Sequence, residues 1–189
     1  TVAHLAAYFA REAQPWEALT YGKIRFIAGD RSLAARANQQ ARDFCQRFSQ
    51  DDALVRTLDS LRQKLAGAGE PGFKNAPGGL YDIEYLTGCL LMQHGHGLAN
   101  GTMRDRIWRC ADAGVMTRQT AATLDHAAEL MRCIEHAARL VTGRSQPWLP
   151  ATESAKEMTF RLAAAMLGAD PHCLEEELKA AQVSTRAAY

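Results

Sequence analysis

The sequence predicts an all-α protein arranged as an antiparallel helical bundle. Three observations predict it. Alanine, leucine, arginine, glutamate and glutamine dominate, and runs of β-branched residues are absent. Apolar residues recur at three- and four-residue spacing along most of the chain. The links between these stretches are short, which suits neighbouring helices that reverse direction.

Taken in order, residues 1–14 and 16–28 read as two short helices broken around Pro15. Residues 31–48 form a third, with Leu33, Ala37, Ala41, Phe44, Cys45 and Phe48 on one stripe. Asp51 caps a fourth, which carries Leu54, Leu58, Leu61 and Leu65 and stops at Gly67. Residues 68–79 hold four glycines and two prolines and read as a loop and the best candidate for an internal hinge. A fifth helix runs from Leu80 to His94. Leu80, Ile83, Leu86, Cys89, Leu90 and Leu91 make it apolar on most sides, which predicts central burial.

Thr102 opens a short helix that Gly114 closes, and Thr117 opens the longest one, ending near Gly143. The stripe of that long helix is Leu124, Ala127, Met131, Ile134, Ala138 and Val141. Glu135 and Arg139 are placed to pair on its exposed side. Residues 144–151 form a second loop with Pro147 and Pro150. A helix over 153–167 ends at Gly168, and Asp170-Pro171 starts a last helix reaching about Gln182. The whole is expected to be one domain over residues 1–189.

A formal net charge of +1 gives no electrostatic case for a nucleic-acid or membrane partner. No apolar run approaches the length of a membrane span. The five cysteines, Cys45, Cys89, Cys110, Cys133 and Cys173, are odd in number and widely spread. They read as reduced, mostly buried thiols of a cytoplasmic protein. The chain starts at Thr1 without a methionine and is expected to be a piece of a longer polypeptide.

The stretch Lys74 to Tyr85, KNAPGGLYDIEY, joins the glycine-rich loop to the apolar fifth helix. Gly78 and Gly79 allow close backbone approach at the joint. Pro77-Gly78-Gly79 could present free N–H groups to an anion, with Lys74 nearby, or could be a plain helix start with solvated N–H groups. The local sequence favours the plain start. Asp82 and Glu84 are two residues apart and point to nearly opposite sides of a helix, so they do not jointly chelate a metal. A carboxylate facing the apolar interior needs a partner. An arginine from another helix paired with Asp82 or Glu84 is therefore expected, in a structural role.

Other chemistry is poorly supported. His94 and His96 lie near a helix end, while His126 and His136 lie ten residues apart on the long helix. A metal needs three or four convergent ligands. There is no G-x-S-x-G elbow and no Walker P-loop.

PGGLYDIEYL resembles the "GPGG-hydrophobic-x-[DE]-IEF" signature of the bacterial glutamine-synthetase adenylyltransferases and, more loosely, of their PII uridylyltransferase relatives. Further stretches are similar to that family in the same order. Trp16-Glu17 and Lys23 to Asp30 (KIRFIAGD) resemble its "WER…AR-x-[VI]-AGD" stretch. Thr102 to Met116, Leu130 to Leu140 and Leu162 to Leu178 resemble its later helices. The chain departs from the pattern at Tyr81, Asn75-Ala76, Tyr85 and His136-Ala137.

In those enzymes a nucleotidyltransferase domain, with a Gly-Ser motif and an Asp-x-Asp metal pair, precedes a helical domain. This chain has neither motif and resembles the helical domain. The resemblance implies a parent enzyme that moves AMP from ATP, with Mg²⁺, onto a tyrosine of glutamine synthetase and removes it by phosphorolysis. It implies no tight ATP or Mg²⁺ binding by this chain alone. Its implied partners are the adjacent nucleotidyltransferase domain and glutamine synthetase or a similar protein. Lys74, Gly78, Gly79, Asp82 and Glu84 would then face the catalytic domain, with Gly78 and Gly79 exposed on a concave, partly basic surface. Lys23 and Arg25 would anchor phosphate or interdomain carboxylates. The alternative is a non-catalytic helical binding or regulatory module that keeps only the fold.

Overall fold

Threonine hydroxyls start four of the described helices, the first of them at Thr1, which accepts from the His4 N–H at 3.2 Å. Thr102, Thr117 and Thr152 accept hydrogen bonds from the backbone N–H groups of Asp105, Thr120 and Ala155 at 3.2, 3.0 and 3.4 Å. Asp105 returns the favour at the first of these, accepting from the Thr102 N–H at 2.6 Å, so the capping box is complete. Gly143 and Gly168 end two helices in the left-handed conformation, at φ 67° and 68°.

The computed structural model describes residues 1–49, 51–67, 72–97, 101–145 and 148–189. Its helices are α1 (Val2–Arg11), α2 (Ala18–Tyr21), α3 (Arg31–Gln46), α4 (Asp52–Gly67), α5 (Leu80–Gln93), α6 (Met103–Asp112), α7 (Arg118–Thr142), α8 (Glu153–Leu167) and α9 (Leu174–Ala188). A short 3₁₀ turn, Pro15–Glu17, precedes α2. The described residues contain no strand, so the fold is all-α.

The chain sorts into two compact units, one of residues 1–61 and 85–116, the other of residues 62–84 and 117–189. The divisions fall within α4, within α5 and just before α7. The 72–79 turn belongs wholly to the second unit, and residues 68–71 of the expected hinge lie outside the described residues.

In the first unit Phe9, Leu19, Phe44, Leu54, Leu58, Leu91 and Cys110 share one buried core. Phe9 stacks on Phe44 at 4.5 Å and meets Tyr21 edge-on at 4.7 Å. In the second unit α7, α8 and α9 pack on one another. The expected α7 stripe holds at Leu124, Ala127, Met131, Ile134 and Ala138, all at most 1% exposed, while Val141 at its end is half-buried.

Three sequence expectations are corrected. Residues 16–28 do not form one helix. Helix ends at Tyr21, and Arg25 to Asp30 are all exposed. A segment with no face to bury gains little from helix formation. The last helix does not stop at Gln182 but runs to Ala188, because Thr185 is buried within the second unit. It starts at Leu174, with Pro171 lying in a turn where Asp170 accepts from the His172 N–H at 3.0 Å. Glu135 does pair with Arg139, at 2.6 Å, but it is buried.

Candidate functional site: the Pro77-Gly78-Gly79 corner

The corner is built from the end of α4, the 72–79 turn and the first turn of α5. Arg62 lies one helical turn beyond Leu58 and so continues the apolar face of α4 into the second unit. Its side chain is 2% exposed. Its Nε donates to Oδ1 of Asp82, which is fully buried, and its Nη2 donates to the Ala76 carbonyl at 2.6 Å. The other Asp82 oxygen accepts from the Gly78 N–H at 2.6 Å. Arg186 of α9 approaches that same oxygen to 3.7 Å and lies over the Tyr189 ring at 5.2 Å. One carboxylate thus ties α4, the turn, α5 and α9.

This meets the expectation of a carboxylate paired with an arginine from another helix. The exposure expected for the glycines is overturned. Gly78 and Gly79 are both buried. Gly78 adopts φ +77° with its backbone against Gln182 of α9, so that a Cβ there would run into the Gln182 carbonyl. A Cβ on Gly79 would lie 2.8 Å from the carbonyl oxygens of Lys74 and Ala76. The glycines are required by close packing inside the unit.

The N–H groups of the corner are also spent. Gly79 donates to Ala76 at 2.8 Å, Leu80 to Phe73 at 2.9 Å, Tyr81 to Lys74 and Asp82 to Gly79, both at 3.0 Å. With the Gly78 N–H on Asp82, no N–H from Gly78 to Asp82 remains to cradle a phosphate, which corrects the anion-binding option. Lys74 is 44% exposed and lies 3.6 Å from the Glu135 carboxylate, which Arg139 also holds. Glu84 is half-buried. Lys23 and Arg25 fall in the other compact unit, Lys23 half-buried and Arg25 exposed.

Metal and nucleophile chemistry finds no arrangement here. Among the described residues no three His, Cys, Asp or Glu side chains converge as ligands for an ion. Burial pushes the thiols of Cys45, Cys89 and Cys110 up to about 11, so they stay protonated and inert. Among the described residues no helix is long and apolar enough to cross a membrane.

Sequence reasoning missed Arg62, Gln182 and Arg186, and read Glu135 only as a surface partner of Arg139. Arg62 left a signal, a cation on the apolar stripe four residues after Leu58. The α9 contacts left none, since they depend on which helix packs over the turn.

Fold and corner together define a class, an all-helical domain braced by a buried arginine–carboxylate pair. Residues 52–187 match the family model described as GlnD PII-uridylyltransferase, and the chain belongs to that family. It is similar to the bifunctional glutamine synthetase adenylyltransferase/adenylyl-removing enzyme of Streptomyces coelicolor, 30% identical over 79% of this chain and 16% of that protein. The enzyme of the same name from Mycobacterium bovis is 26% identical over 92% of this chain and 19% of its own length. The Shewanella oneidensis enzyme is 31% identical over 50% of this chain and 11% of its own. The chain therefore spans under a fifth of the length of these curated relatives.

Proposed function

We propose that this chain is the helical accessory domain of a glutamine-synthetase adenylyltransferase-like nucleotidyltransferase. The parent would transfer AMP from ATP to a protein tyrosine and remove it by phosphorolysis, in the cytoplasm. The carrying observation is that the family match encloses a corner whose backbone donors are committed internally. Such a corner suits a rigid structural part better than a phosphate cradle.

Among the described residues no three His, Cys, Asp or Glu side chains converge as a ready-made site for Mg²⁺, which is held by carboxylates together with substrate phosphates. ATP and Mg²⁺ are assigned to the adjacent nucleotidyltransferase domain, and no transfer step runs through the residues described here. The outward parts of the corner, Lys74 and Pro77, would offer an edge to that domain. Arg25, exposed in the first unit, would be a second anchor for interdomain carboxylates.

The test is transfer of labelled AMP to glutamine synthetase by the parent polypeptide. Label on a tyrosine supports the reading, with Lys74→Ala changing the rate by less than about threefold, as for a surface substitution. No transfer would replace it with a non-catalytic helical binding or regulatory module. Titration of this chain with ATP and Mg²⁺ adds a second check. Saturable binding abolished by Lys74→Ala would return the corner to a nucleotide site.

A further inference from the structure

The first unit contains a cleft that the reading above does not use. We propose that it binds a ring-bearing organic phosphate of mononucleotide size. The cleft measures about 560 Å³, inside the roughly 300–1,000 Å³ of small-molecule sites. It lies between α3, the end of α2 and the turn that follows α5.

One face of α3 supplies its polar wall. Asn38, Arg42 and Gln46 are four residues apart, so their side chains rise from the same side of the helix at successive turns. The amides of Asn38 and Gln46 make no hydrogen bond with any described residue. Arg42 donates Nη2 to Gln39 at 2.5 Å, which leaves other guanidinium donors for a ligand. Ala41, Cys45 and Met92, each at most 5% exposed, form an apolar floor. His96, between Gly95 and Gly97, also lines the cleft.

These features define the ligand. Among the described residues no acidic side chain lines the cleft, and Arg42 is a permanent cation, so the cleft is complementary to an anion. Asn38 and Gln46 are about 12 Å apart along the helix axis at 1.5 Å per residue. A bare anion could not reach both or cover the apolar floor. An elongated molecule with a ring, further acceptors along its length and one phosphate uses all three features.

The probe is AMP, titrated calorimetrically into this protein, with adenosine and inorganic phosphate as part-ligands. Saturable AMP binding is expected, at least about tenfold tighter than either part, since each leaves one element of the cleft unused. Arg42→Glu should weaken AMP binding about tenfold or more, because it replaces a charge-assisted donor with a repulsive carboxylate. Arg42 is exposed, so the helical circular dichroism should not change. Lys74→Ala should leave AMP binding unchanged, whether or not the parent enzyme adenylylates glutamine synthetase. No saturation, binding indifferent to Arg42→Glu, or phosphate binding as tightly as AMP would each overturn the proposal.

Discussion

Arg62 and Asp82 meet as a buried ion pair, with side chains 2% and 0% exposed. The carboxylate is also the acceptor for the Gly78 N–H, so the pair fixes the turn as well as joining two helices. Asp82→Ala should destabilise the protein by about 3–5 kcal/mol, because it strands the Arg62 cation in the interior. Urea unfolding checks this. A loss below about 1 kcal/mol, the range of an exposed pair, would show that the guanidinium finds water instead.

Gly78→Ala should cost more than the same change at Gly114. Both glycines have positive φ, 77° and 72°. Space is open around Gly114, whereas a Cβ at Gly78 meets the Gln182 backbone. Gly114→Ala should cost about 1 kcal/mol from backbone conformation alone. Gly78→Ala should exceed that by at least about 1 kcal/mol, as overpacking does. Equal losses in paired denaturation curves would refute the close approach of α9 to the turn.

Lys74→Ala should be mild. The lysine is 44% exposed and shares Glu135 with Arg139, so its loss should cost under about 1 kcal/mol. Glu135→Ala should cost more, because it removes the acceptor from both cations. Thermal melting of the two variants ranks them.

Tyr8 should titrate late. Its hydroxyl donates to Glu17 at 2.5 Å, and that hydrogen bond, the largest cause, pushes its pKa up to about 12. The folded value lies above the unfolded one, near 10. The stabilisation is therefore complete below pH 10 and lost as pH rises from 10 to 12. Phenolate absorbance should show one tyrosine titrating above the rest, and Glu17→Gln should bring it down. A unimodal titration near pH 10 in the native protein would contradict the bond.

Thiol modification should separate the cysteines. Cys173 is exposed and should react first. Cys45 and Cys110 are buried with raised pKa values and should react only on unfolding. Rapid labelling of all five thiols in the native state would contradict the first unit's core.

Much of the fold was legible in the residues. Thr102 and Thr117 as caps, Gly143 and Gly168 as stops, and the α7 stripe are local or periodic signals, and the structure bears each out. That Asp82 or Glu84 needs an arginine was legible too, because charge burial has a cost wherever it occurs, but not which of the two. The segment after Tyr21 and the reach of α9 were misread, since helix persistence depended on whether the residues had a surface to bury against.

By itself, the sequence determined an all-helical protein, its main helix starts and stops, and a carboxylate in the fifth helix that required a buried partner. Only the tertiary structure decided that Arg62 is that partner, that α9 closes over Gly78, and that the Gly78 to Asp82 N–H groups are used internally. The physical reason is range. Capping and periodicity act within a few residues, whereas the burial of a glycine is set by a helix more than a hundred positions away.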